Sequence, residues 1–273
     1  RACDEGLLET IDHSILTPAP DGTPAVEDFL PGTLYDCAVA NIVWSSVYVY
    51  DTTKVRNWNA PTKMSDFFDT AAYPGKRGMR KSPKVTLEFA LIADGVPVAE
   101  VYDALSTEEG LARAFAKLDT IKDDIVWWEA GAQPPQLLAD GEVIFTTAWN
   151  GRIFAAVASE EQSFEMVWDG QIYDLDLWVM PKGSKNKEAA LDFLVFASAT
   201  EQLAAQASYI PYGPARASSV AKIGTYFEND NIKMANHMPT AAGNFKNALQ
   251  NDFEFWADNA DQLNERFNAW LAK

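Results

Sequence analysis

Cysteine and histidine are scarce in this chain, with two of each among 273 residues. That is too few for a metal centre of the usual Cys/His kind, so neither a metal nor a cofactor is expected. Basic residues are also few: 22 lysines and arginines face 39 aspartates and glutamates, a formal net charge of −17. Such a surface disfavours nucleic acid and anionic membrane and suits small cations or zwitterions. No run approaches the roughly 20 apolar residues of a membrane span. The dinucleotide fingerprint, the phosphate-binding P-loop, the nucleophile elbow and the zinc-protease helix motif are all missing. His13 and His237 lie in turn-like stretches, not beside a nucleophile. The expectation is a protein that is not an enzyme, with an unrecognised α/β hydrolase site as the competing class.

What is present is a 48% apolar composition, ample for a large core and long enough for two lobes. Cys3 and Cys37 can each be read as a buried small hydrophobe. Both lie in polar, turn-like surroundings, however, which predicts a Cys3–Cys37 disulfide and an oxidising compartment such as a periplasm.

The most informative stretch is IVWWEAGAQPPQLLADGEVIFTTAWNGR, Ile125 to Arg152. An apolar run, a helical spacing from Gln133 to Ala139 and a second apolar run predict a strand–helix–strand unit. Trp149, Asn150 and Arg152 then fall just past a strand's carboxyl end, where ligands sit in open α/β sheets. Elsewhere Asn41 to Tyr50 reads as a strand and Ala72 to Arg80 as a loop. A capping box at Ser106 opens a helix, and strands Phe164–Trp168 and Leu175–Met180 are separated by a turn at Asp169-Gly170. Amphipathic helices follow from Asn186 to Ala197 and from Trp256 to Leu271. Alternating strands and helices predict an α/β fold. The expected division places 1–80 and 177–273 in one lobe and 81–176 in the other, with crossings near 77–82 and 174–180.

The candidate recognition residues are Trp44, Ser45, Gln133, Trp149, Arg152, Asp176, Trp178 and Tyr212. Trp44 and Trp178 can equally be core, and Tyr212 can be a packing tyrosine. Asp176 interrupts an alternating strand beside Trp178, and an acid next to an indole suits an alkylammonium through charge pairing and cation–π attraction.

At these residues the chain resembles the periplasmic solute-binding proteins of ABC importers, and within them the polyamine (spermidine/putrescine) branch that includes γ-aminobutyrate receptors. The resemblance rests on NIVWSSVYVYD at 41–51, LLADGEV at 137–143, AWNGR at 148–152, DLWVMPKGSKNKEAALDFLVF at 176–196, YIPYGP at 209–214 and FWADNADQLNERFNAWL at 255–271. It implies a two-lobed type II binding-protein fold with a hinge, part of whose first lobe lies upstream of Arg1. It also implies a monomer that captures a small molecule in the interlobe cleft and delivers it to a membrane permease. The location implied is the periplasm of a Gram-negative bacterium, reached through a signal peptide not represented here. Polyamine receptors of this kind place acids at both ends of the ligand. Here Ser82-Pro83-Lys84-Val85 and Arg152 stand where acids are expected, while Asp176 keeps the acid at the other end. That pattern implies an ω-amino acid, with Arg152 on the carboxylate, Asp176 on the ammonium, and Trp149, Trp44 and Tyr212 over the stem. The alternatives within the class are a polyamine or a betaine-type cation.

Overall fold

The β-branched and aromatic stretch AVANIVWSSVYVYD forms one long, almost wholly buried strand. In the computed structural model, which describes residues 2–55 and 58–273, the strands in chain order are β1 (Leu34–Tyr35), β2 (Ala38–Asp51), β3 (Arg77–Arg80), β4 (Ile125–Trp128), β5 (Phe145–Trp149), β6 (Phe164–Val179), β7 (Gly213–Pro214), β8 (Thr225–Tyr226), β9 (Asn229–Lys233) and β10 (Leu249–Gln250). The fold is mixed α/β and divides into two compact units. One comprises Arg1–Trp44 with Asp174–Ala241, the other Ser45–Tyr173 with Ala242–Lys273.

The second unit is built on strands in the order β10-β6-β2-β5-β3-β4. β3 runs parallel to β4 and to β5, with Arg80 opposite Trp128. β5 is antiparallel to the second half of β2. The helices Pro83–Ala93, Glu108–Asp119 and Phe253–Leu271 carry Leu87, Leu91, Leu111, Leu118, Trp256 and Phe267 into one core with Tyr48, Phe67 and Phe145. The last helix thus completes this unit from the far end of the sequence.

These two units divide the chain differently from the expected lobes. Residues 45–80 and 242–273 belong with the residues taken as the second lobe. The reason is hydrogen bonding: β3 pairs with β4 and β5, and Ser46 to Tyr50 pair with Trp149 to Phe145. Arg77–Arg80 is therefore a strand inside a sheet, neither a loop nor a crossing. The chain passes between the units after Trp44, Tyr173 and Ala241. The expected turn at Asp169-Gly170 is also absent, since β6 runs unbroken from Phe164 to Val179. Gly170 takes φ +71°, and a Cβ there would lie 2.9 Å from Ile92, so the glycine bends the strand instead of reversing it. The helix at 108 is capped by Thr107, one residue later than expected, whose side chain accepts from the Gly110 N–H.

In the first unit, β1 and β7 flank the start of β2. Ile11, Leu16, Phe29, Val39, Leu194 and Ala215 form its core. Arg216, fully buried, donates to Asp28 at 2.6 Å and to the carbonyls of Ser198 and Thr17. A disulfide joins Cys3 and Cys37, with Cα atoms 5.8 Å apart across 34 residues. Closing a loop of that length is worth about 3–4 kcal/mol on the chain-entropy model.

The second unit also buries a carboxyl group. Glu88 is fully buried and accepts from Trp256 Nε1 at 2.7 Å and from the Tyr102 hydroxyl at 3.2 Å, while its other oxygen has no partner among the described residues. Burial pushes its pKa up to about 7. A pKa raised on folding contributes stability that is present below the ordinary value and lost as pH rises through the folded value. The protein is therefore expected to lose stability as pH climbs from about 4.5 to about 7. Thermal melts across that window should show a slope that Glu88→Gln flattens. Identical profiles for the two proteins would place the Glu88 charge in solvent.

Candidate functional site

Three parallel strands of the second unit end on large or charged side chains: β3 on Arg80, β4 on Trp128 and β5 on Trp149. Their parallel register brings those ends to one edge of the sheet, the edge that α/β proteins use for ligands. Trp149 is half-buried and stands edge-on to Trp128, ring centroids 5.9 Å apart at 88°. The guanidinium of Arg80 lies 5.3 Å from the centre of the Trp149 ring. Ser46, Val85, Thr86, Thr147 and Ala148 complete a small recess around these three side chains. Trp128 is buried, and its indole N–H has no partner among the described residues.

Gln133 has a supporting position. Its side-chain oxygen accepts from the backbone N–H groups of Glu129 and Ala130, at 2.8 and 2.7 Å, and so fixes the turn that follows β4. That turn presses Gly131 onto Trp149. A Cβ at Gly131 would lie 2.3 Å from Trp149 Cζ3 and 2.6 Å from its Cε3. Gly131→Ala is accordingly expected to displace the indole and to cost about 1–3 kcal/mol, the usual range for overpacking. Urea unfolding and a shift in tryptophan emission would register it. Unchanged values for both would mean the turn moves aside freely.

Ser45 and Arg152 belong to the same unit in different ways. Ser45 is fully buried, and its hydroxyl donates to the Ile172 and Ser46 carbonyls while its N–H donates to the Asn150 side chain. Its polar groups are thus committed to the sheet. Arg152 lies exposed in the first turn of the helix Asn150–Ser159, where the helix dipole is unfavourable to a cation.

Three candidates of the first unit are gathered together. Trp44 Nε1 donates to Asp176 Oδ1 at 3.0 Å. Val43 pairs with Gly213 across β2 and β7, which makes Trp44 and Tyr212 the next residues along the two strands. Asp176 is exposed. Partial desolvation raises its pKa and the nearby Asp174 adds to the rise, against the Trp44 N–H, which favours the charged form. Trp178 is placed differently. It packs with the core of this unit and meets Phe193 edge-on at 5.2 Å, its indole N–H unpartnered among the described residues.

The arginines divide cleanly. Arg77 is fully buried and satisfied by the Phe67 and Asp69 carbonyls. Arg113 pairs with Asp94, Arg216 with Asp28 and Arg266 with Glu108. Among the described arginines, Arg80 and Arg152 alone have no oxygen partner among the described residues. Sequence reasoning named Arg152 as a candidate and did not name Arg80 or Trp128, whose placement beside Trp149 follows from the parallel pairing of three strands, one of which read as a loop.

The family model for bacterial extracellular solute-binding proteins matches residues 1–240. A γ-aminobutyric acid-binding protein of Pseudomonas aeruginosa is 45% identical over 273 residues, the whole of this chain and 73% of that protein. Among solved structures, a periplasmic binding protein of Agrobacterium tumefaciens in complex with glucopine is 30% identical. It aligns with a TM-score of 0.82 over 99% of this chain and 79% of its own. A GABA receptor is 34% identical with a TM-score of 0.79, over 100% of this chain and 78% of its own. The chain belongs to the bacterial extracellular solute-binding protein family.

Proposed function

We propose that this protein is the solute-capturing receptor of an ABC importer, working outside the cytoplasmic membrane, and that its ligand is a small ω-amino acid such as γ-aminobutyrate. One observation carries the reading: two opposite charges are left without an ionic partner among the described residues, and each is set against an indole. Asp176 is held by the Trp44 N–H, and an arginine lies over Trp149. A zwitterion with separated charges satisfies both. In this reading the ammonium is the group for Asp176 and the carboxylate the group for an arginine beside Trp149, with Trp44, Trp149 and Tyr212 as the candidate aromatic contacts of the stem. A diamine would set its second ammonium against that arginine, and like charges in a desolvated site cost several kcal/mol. The γ-aminobutyric acid-binding relative, 45% identical along this whole chain, supports the same ligand class. Binding and release alone constitute the activity in this reading, with no chemical step.

Calorimetric titration of γ-aminobutyrate, 5-aminovalerate, putrescine, spermidine and glycine betaine tests it. The ω-amino acids are expected to bind and the diamines to bind far more weakly. Tight binding of putrescine, spermidine or betaine in preference to the amino acids overturns the assignment.

A further inference from the structure

Arg80 and Arg152 both stand available to a carboxylate, but their surroundings differ. Arg152 is exposed, and solvent satisfies its charge. Arg80 is half-buried, lies over Trp149, and its guanidinium meets no oxygen among the described residues. A partly desolvated cation without an acceptor is costly. The same strand shows how this chain treats a buried arginine that only supports the fold, since Arg77, three residues earlier, is furnished with carbonyl acceptors.

Three further observations converge on the recess beside Arg80. The Trp128 N–H, also lining it, is buried and unpartnered among the described residues. Val85 lines it at φ +75°, a conformation that a β-branched residue adopts only at a cost. The free space is about 10 Å³, room for one water-sized group, which suits a carboxylate oxygen and not a methylene stem.

We propose that Arg80, at the end of β3, is the specificity-determining residue that reads the ligand's carboxylate, with the Trp128 N–H as a second donor and Trp149 holding the guanidinium in place. The planar fork of an arginine donates two parallel hydrogen bonds to a carboxylate, which an ammonium cannot do. Arg152 then contributes long-range attraction at the surface. This rests on the ω-amino acid reading and names the group within it that rejects ligands lacking a carboxylate.

The test compares γ-aminobutyrate with 4-aminobutanamide, which keeps the stem and ammonium and replaces the carboxylate by a neutral amide. Affinities for both are measured with wild type, Arg80→Met, Arg80→Lys and Arg152→Ala. Methionine preserves apolar contact with Trp149 and removes only the charge and donors. Wild type is expected to prefer the acid by roughly 100-fold, the scale of a desolvated charge pair. Arg80→Met should reduce that preference to about threefold or less, Arg80→Lys should keep part of it, and Arg152→Ala should leave most of it, since exposed charges count for little. Retention of the wild-type preference in Arg80→Met, or its loss in Arg152→Ala alone, overturns the role of Arg80 and leaves the ligand class standing. A wild type that binds the two compounds alike overturns the ligand class itself. If neither Arg80 variant gives the wild-type circular dichroism spectrum, Arg80 is a packing residue and the proposal fails.

Discussion

Replacing Asp28 with alanine is expected to destabilise the protein by about 3–5 kcal/mol, the cost of stranding a buried charge. The partner left behind is Arg216, which is fully buried and whose remaining contacts are the Ser198 and Thr17 carbonyls and the face of Phe29. Asp28 is itself saturated: one oxygen accepts from the Ser218 N–H at 2.8 Å, and the other from the Ser218 hydroxyl and the Arg216 Nε, each at 2.6 Å. Alanine therefore removes three hydrogen bonds as well as the counter-charge. Asp28→Asn, which keeps the shape and an acceptor, should cost less than alanine. Urea unfolding followed by far-UV circular dichroism measures both, and an unchanged midpoint for Asp28→Ala would mean that the pair adds nothing net.

The pH dependence around Asp28 has the opposite sign to that around Glu88. Burial pushes the Asp28 carboxyl up, but hydrogen bonds from Ser218 and the Arg216 charge outweigh it and hold the pKa below its ordinary value. A depressed pKa contributes stability that is present above the unfolded value and lost as pH falls through the folded one. Glu88 weakens the fold toward neutral pH and Asp28 weakens it in acid, so the two together favour a stability maximum on the mildly acidic side.

The parts of the molecule that were legible in the sequence are those whose signal is local. The Ile125 to Trp149 unit declared itself by the period of its apolar residues. The disulfide followed from two cysteines in turn-like surroundings, and the terminal helix from one stripe of apolar positions. What was hidden depends on partners distant in sequence. The four residues Arg77–Arg80 carry too little pattern to declare a strand, and they become one because β4 and β5 pair on either side. The grouping of the last helix with the middle of the chain was hidden for the same reason, since Trp256 and Phe267 share a core with residues as distant in sequence as Tyr48 and Phe67. Among the candidate site residues, Trp149 and Asp176 were visible as misfits, a large indole past a strand end and an acid within a strand. Arg80 was invisible because one basic residue at the end of an unrecognised strand carries no signal of its own. Ser45 shows the converse limit: a polar residue beside an indole suggested recognition, yet its hydroxyl serves backbone carbonyls.

Asp176→Asn is expected to lower affinity for γ-aminobutyrate by roughly 30- to 1,000-fold, the equivalent of about 2–4 kcal/mol for removing one partner of a desolvated charge pair. The substitution keeps size and shape and leaves an oxygen to accept from the Trp44 N–H at its 3.0 Å position. Because the residue is exposed and its side chain is tied to the fold by that hydrogen bond, the melting temperature should hardly move. The loss should thus appear in binding and not in folding. A second signature comes from pH. Partial desolvation already raises the Asp176 pKa, so the carboxylate takes up its proton at a higher pH than an ordinary aspartate. An ammonium binds only the ionised form, so wild-type affinity is full well above the raised pKa and falls as pH drops through it. Asp176→Asn, with no proton to gain there, should bind weakly and without that fall. Titration by calorimetry at several pH values separates the two proteins. Wild-type affinity in the asparagine variant, or an equal acid-side fall in both, would remove Asp176 from the ligand and leave its hydrogen bond to Trp44 as the whole of its role.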